Sequence, residues 1–197
     1  MSDLLPCAPA TATERDVLAA ARAMVALDLV LGTVGNVSAR TEQGLLITPT
    51  RMEYDAAGPD DLVLLDLDGE VLAGHRVPSR EWAMHAAIYR SRPEAGAVVH
   101  THSVHATAWS HLGAPLEPEL EDSHYHGLGP VRTSAPAPAG SLALADGAVR
   151  ALHGSRAALL GGHGVVAIGD TPAAALLAAR VVERQAQVAW LLRGAAR

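Results

Sequence analysis

The segment Ala97-Val-Val-His-Thr-His-Ser103 carries the clearest chemical signal in the chain. Its apolar run reads as a buried strand that ends in His100-x-His102. Side chains two apart on a strand share a face, so both imidazoles can reach one point in space. Imidazole is a common ligand of transition metals. A third histidine, His163, sits in Gly161-Gly162-His163-Gly164, where glycine allows close backbone approach. Three imidazoles with an open fourth position suit catalytic Zn2+, and Mn2+ or Co2+ fit the same donors. Glu81, in Pro78-Ser79-Arg80-Glu81, is the acid expected to move protons beside that metal. Its position also fits an ordinary first-turn helix acid, favoured by the helix dipole. His85 follows one turn later on the same face, as a ligand, a support or neither.

A second group of residues is suited to anions. Thr33, Asn36, Ser38, Thr48, Thr50 and Ser79 are short polar residues on turns bearing glycine or proline. Such turns can present N–H groups and hydroxyls to a phosphate, or can simply satisfy their own backbone.

Composition narrows the chemistry. The 197 residues hold 15 basic side chains, every one an arginine, so no lysine of this chain can form a Schiff base. The formal charge is −6 and aromatic residues are 3%, with neither a basic cluster nor stacking rings for nucleic acid. Cys7 is the lone cysteine, which suits a reducing compartment. No apolar run reaches membrane-spanning length, so a cytoplasmic protein with no membrane partner is expected.

The elements that must position these residues alternate between helix and strand. Residues 1–10 read as a disordered leader and residues 11–197 as one domain. Thr11-x-x-Glu14 predicts a capping box opening a helix to about residue 29. Strands are expected over residues 37–40 and 45–48, and a hairpin over residues 62–72 with Asp68-Gly69 at its turn. Ser79 is expected to cap a helix that Pro93 ends. The histidine strand and a helix over residues 104–111 follow. Residues 113–139 form a proline-rich functional loop. A helix over residues 141–152, two strands bracketing His163 and a last helix from Thr171-Pro172 complete the chain. This alternation predicts a layered α/β domain.

Six motifs occur in order: residues 32–40 (GTVGNVSAR), residues 46–50 (LITPT), Pro78-Ser-x-Glu-Trp-x-x-His85, residues 87–93, residues 97–103 and Gly162-His-Gly164. In this the chain resembles the class II aldolase/adducin family. The resemblance implies a three-layer α/β/α domain with a largely antiparallel central sheet, assembled as a homotetramer with active sites at subunit boundaries. It implies zinc on His100, His102 and His163, proton transfer by Glu81, and phosphate binding by Thr33, Asn36, Thr50 and Ser79. It suggests a tyrosine from a neighbouring subunit as proton donor; Tyr125 is the candidate, with His124 or His126 as alternatives. Two positions depart from the family pattern. Arg80 stands where a second serine is common, and Arg51 where glycine is frequent. Both are expected either to bind an anionic substrate or to point outward.

The resulting expectation is a zinc-dependent aldolase that cleaves a small phosphorylated ketose to dihydroxyacetone phosphate and an aldehyde. Glu81 is expected to have its pKa raised towards neutrality by a partly dry site. The same chemistry could instead serve dehydration, decarboxylation or 4-epimerisation. Adducin-like members use the domain as a non-enzymatic scaffold, without the metal donors that this chain retains.

Overall fold

A computed structural model describes residues 10–195. The expected leader lies outside the described residues except for its last position. Helix α1 spans Ala12–Ala26 and opens on the predicted capping box. The Glu14 backbone N–H donates to Thr11 Oγ1 at 3.2 Å, and the Thr11 N–H donates to Glu14 Oε2 at 2.6 Å. The helix ends earlier than its apolar spacing suggested, because Asp28 turns the chain at φ 56°. Leu29 and Val30 remain buried beyond that turn.

The strands are β1 (Asn36–Arg40), β2 (Leu45–Ile47), β3 (Val63–Leu65), β4 (Val71–Ala73), β5 (Ala97–Thr101), β6 (Ala157–Leu160) and β7 (Gly164–Gly169). The further helices are α2 (Trp82–Ser91), α3 (Val104–Ser110), α4 (Glu121–Tyr125), α5 (Leu142–Ala151) and α6 (Pro172–Ala195). One sheet runs β4-β3-β2-β1-β5-β7-β6, and each of its strand pairings is antiparallel.

The sheet separates two cores. Ala97 and Val99 of β5 face α1, α3 and α6, in a cluster with Val17, Met24, Val165 and Val182. Val98 faces α2 and α5, in a cluster with Met84, Ile88, Leu144 and Val166. Period-two alternation then puts His100 on the α2 side, with Val98. Each fully buried Val or Leu contributes about 1.5–3 kcal/mol of transfer free energy, so this register is firmly set. In that register His100 lies opposite Asn36 of β1 and Val166 of β7.

Short helix α4 interrupts the stretch that the sequence marks as one irregular loop. It is pinned to α6 by the buried Gln185 side chain, whose Oε1 accepts from Ser123 Oγ at 2.8 Å and from the Leu120 N–H at 3.1 Å. Among the described residues no helix is long and apolar enough to cross a membrane.

Candidate active site

Three local devices bring the histidines together. His100 Nδ1 donates to the Val165 carbonyl at 2.8 Å, which turns Nε2 towards the other two rings. The His102 backbone N–H donates to the Leu29 carbonyl at 3.0 Å, fixing the chain as it leaves β5. The His163 N–H donates to the Leu160 carbonyl at 2.9 Å, closing a tight turn in which Gly162 has φ 65°. Glycine is required next at position 164: a Cβ there would lie 2.2 Å from the Thr101 carbonyl oxygen.

The three rings stand edge to face with centroids 4.7–4.8 Å apart. One nitrogen from each falls within 4.8 Å of the others, the arrangement of a shared metal site. Burial, then the neighbouring imidazoles, hold His102 down at about 3 against the opposing pull of Glu81. Burial lowers His163 as well, followed by His100. Imidazoles held neutral keep the lone pairs that a cation needs.

Glu81 completes the cluster. It sits at the N-cap of α2, one residue before the helix, rather than in the first turn. Pro78-Ser79-Arg80 forms a turn closed by a Trp82 N–H to Ser79 carbonyl bond of 3.0 Å, and this delays the helix. The Ser79 hydroxyl accepts the Glu81 N–H at 3.3 Å instead of capping the helix from position 79. The Glu81 carboxylate makes no cap bond. It is directed at the histidines, with Oε2 3.2 Å from His100 Nε2 and Oε1 3.4 Å from His163 Nε2. Oε1 is buried and has no hydrogen-bond partner, as expected of an oxygen reserved for substrate. Burial pushes the Glu81 carboxyl up, as anticipated. However, His100, the Asn36 amide and then His163 outweigh burial and hold it at about 2. The group is a carboxylate here, not a near-neutral acid.

A cleft of about 710 Å³ opens beside this centre. Its lining includes Thr33, Thr50, Arg51, Ser79 and Arg80 together with Glu81, His102 and His163. The polar turns and two of the three clustered histidines therefore share one cleft. Two turns carrying the polar residues are tied together, by Thr50 N–H to the Val77 carbonyl at 3.0 Å and Ser79 N–H to the Thr48 carbonyl at 3.1 Å. Arg51 takes a left-handed conformation at φ 55°, a cost of roughly 1–2 kcal/mol for a side chain with a Cβ. Arg80 lies near enough to His163 for its charge to help lower that imidazole.

The profile described as Class II Aldolase and Adducin N-terminal domain matches residues 15–190. The chain belongs to this family. It is 40% identical over 171 residues to a 5-methylthioribulose-1-phosphate/5-deoxyribulose-1-phosphate aldolase of Rhodospirillum rubrum, covering 87% of this chain and 77% of the relative. It is also 40% identical over 169 residues to an L-fuculose phosphate aldolase of Escherichia coli O6:H1, covering 84% of this chain and 76% of the relative. A solved L-fuculose 1-phosphate aldolase superposes with a TM-score of 0.88 at 30% identity, covering 96% of this chain and 90% of that one. The α/β architecture expected from the motifs is thus the family's own. Class II aldolases are metal-dependent carbon–carbon lyases, and this chain is an enzyme of that kind.

Within that frame two residues make contacts beyond their sequence reading. Asn36 lines the cleft as expected of a substrate-facing residue, and its amide is also bonded to protein partners. Nδ2 donates to Glu81 Oε2 at 2.9 Å, and Oδ1 meets His85 Nε2 at 2.5 Å. His85 is fully buried and stands outside the metal-donor cluster. Burial, then His100, depress it to about 3. Its second nitrogen, Nδ1, lies 2.7 Å from Ser38 Oγ. The spacing of Glu81 and His85 hinted at a link; the partner strand needed to complete it is visible only in the fold.

Tyr125 is 86% exposed on α4 and does not line the cleft of its own chain. Nor do His124 and His126. Beyond His163 lies a second cavity of about 630 Å³, which shares His163 and Ala139 with the first. Its walls include Ser110, His111, Pro136 and Pro138, with no aspartate, glutamate or arginine.

Proposed function

We propose that the chain is a zinc-dependent aldolase that cleaves a small ketose 1-phosphate to dihydroxyacetone phosphate and an aldehyde. The observation that carries this reading is the Glu81 carboxylate beside three converging imidazoles, with Oε1 unpartnered 3.4 Å from His163 Nε2. His100, His102 and His163 would hold the metal. When bound, it supplies Lewis-acid stabilisation to the oxyanion that develops as the carbon–carbon bond breaks.

The residues then divide the work. Thr33, Thr50, Ser79, Arg51 and Arg80 bind the phosphate end. Cleavage requires loss of the C4 hydroxyl proton, movement of the C3–C4 electron pair towards the C2 carbonyl, and return of a proton to C3. Glu81, a carboxylate at rest, takes up a proton from solvent and delivers it to C3, and abstracts that proton in the reverse direction. Tyr125 is proposed to handle the C4 hydroxyl proton from a second copy of the chain, within a homotetramer. Its exposure leaves it available for that contact. The cavity past Ala139, lined without a carboxylate or guanidinium, would take the far end of the ketose, which favours a deoxy or otherwise apolar tail. Relatives that carry deoxyribulose 1-phosphate in their names agree with this choice. A cytoplasmic setting accords with the lone Cys7, and the continuous sheet from β4 to β6 supports one domain over residues 11–197.

The decisive assay is turnover of a panel of ketose 1-phosphates, coupled to reduction of dihydroxyacetone phosphate, before and after metal chelation. Chelator-sensitive cleavage of a deoxy-ketose 1-phosphate is expected. Absence of turnover with zinc bound would refute the reading. A second reading has the same site dehydrate, decarboxylate or 4-epimerise a sugar phosphate. Arg80 beside His163 is the observation in its favour, since it could face a carboxylate. NMR of the products separates the two.

A further inference from the structure

We propose that Tyr89, Ser38 and His85 form a hydrogen-bond line of fixed polarity that holds the Asn36 amide, and through it the Glu81 carboxylate, in the orientation that leaves Oε1 open. The three are positioning residues, remote from the cleft, and the proposal rests on the role given to Glu81 above.

The line has a simple geometric origin. Asn36 and Ser38 are two apart on β1 and share a face. Glu81, His85 and Tyr89 are spaced by four and form one stripe along α2. Packing α2 on β1 laces the two sets together. Ser38 Oγ lies 2.8 Å from Tyr89 Oη and 2.7 Å from His85 Nδ1. His85 Nε2 lies 2.5 Å from Asn36 Oδ1, and Asn36 Nδ2 lies 2.9 Å from Glu81 Oε2. Asn36 is 3% exposed, Tyr89 1%, and Ser38 and His85 not at all, so water cannot repair a broken link.

Donor and acceptor rules then assign every proton. A carboxylate only accepts, so the Asn36 NH2 group must face Glu81. The Asn36 oxygen therefore faces His85, and His85 must carry its proton on Nε2. A fully buried imidazole is held to one proton, so Nδ1 is bare and accepts from the Ser38 hydroxyl. With its single proton committed, Ser38 Oγ accepts from Tyr89 O–H. The line is anchored at its far end by Arg40, whose guanidinium donates to the Tyr89 carbonyl at 2.8 Å and lies 4.7 Å from the ring centroid. Reversing any one link sets two protons or two lone pairs against each other. A reversed Asn36 would turn its oxygen on the Glu81 carboxylate.

The line fixes Oε2 of Glu81 and leaves its Oε1 without a hydrogen bond. Loosening the line should therefore reduce proton transfer without reducing metal or phosphate binding. Ser38→Ala removes the donor to His85. Its kcat is expected to fall about tenfold, with KM and bound zinc close to wild type and Tm lowered by only a few degrees. Ser38→Thr keeps the hydroxyl and is expected to recover most of the loss. Tyr89→Phe, one link further away, is expected to lose about threefold. The 15N NMR spectrum of the zinc-loaded wild-type protein should place the His85 proton on Nε2 and leave Nδ1 bare. That measurement needs no substrate, so it decides the polarity even where an aldolase assay fails, whereas absent wild-type turnover refutes the aldolase reading alone. A proton on His85 Nδ1, an unchanged kcat in Ser38→Ala, or a kcat loss that tracks lost zinc overturns the proposal.

Discussion

The centre and the rim of the cleft are built by different means. At the centre, His100, Asn36 and Glu81 are buried and pinned by bonds to a neighbouring strand or to one another. At the rim, Arg51 and Arg80 are exposed on turns, and neither guanidinium is tied by a hydrogen bond or ion pair among the described residues. Other arginines of the chain are tied: Arg40 donates to the carbonyls of Tyr89, Arg92 and Ala95, and Arg92 to those of Leu152 and Ser155. An untied guanidinium at a cleft is a group left available for a ligand. The difference separates the chemistry, which needs fixed geometry, from recognition, which tolerates adjustment.

Mutations should therefore divide between kcat and KM according to location. The largest effect is expected at the centre. His102→Ala, or chelation of the wild type, should lower turnover by about 10³ or more, and zinc should restore only the chelated wild type; activity assays with parallel metal analysis check this. At the rim, Arg80→Ala and Arg51→Ala should each raise KM about tenfold, leave kcat within a small factor, and weaken the salt dependence of KM. Equal losses in kcat at both places would abolish the distinction.

Two smaller effects concern stability. Glu183 of α6 accepts the backbone N–H groups of His105 and Ala106 at 3.1 and 2.9 Å, fixing the start of α3 just after His102. Burial pushes the Glu183 carboxyl up, but those N–H groups and the His105 side chain outweigh it and leave it below the usual range. A depressed carboxyl stabilises above its unfolded pKa of about 4.3, and that contribution is lost as pH falls through the lower folded value. Glu183→Gln should thus cost about 1–2 kcal/mol at neutral pH, and the difference from wild type should shrink in acid; denaturant melts across pH measure it. Arg51→Gly should gain up to about 1 kcal/mol by relieving the left-handed conformation, while still raising KM.

This contrast also governs what the sequence could disclose. His100 and His102 were legible because a strand's period of two is enough to aim them together. His163 needed its glycine context and the ordered motifs. The polar turns around Thr33, Thr50 and Ser79 were legible as a class. The bonds of Asn36 to Glu81 and His85 were not, since they depend on its lying opposite His100 in the β1–β5 register and against α2. The Glu81 pKa carried the wrong sign because burial alone predicts a rise, and only the approach of His100, Asn36 and His163 reverses it. Helix α4 was hidden because Gln185, 62 residues from Ser123, holds it in place.

The central claim is that Glu81 transfers the C3 proton at a metal centre it does not itself assemble. Exchange of that proton of dihydroxyacetone phosphate with deuterium from solvent, followed by NMR in zinc-loaded wild type and Glu81→Gln, tests it most directly. The account predicts ready exchange in the wild type and a loss of about 10³-fold in the variant, with zinc content unchanged. Wild-type exchange rates in Glu81→Gln, or a loss that follows departure of the metal, would contradict it.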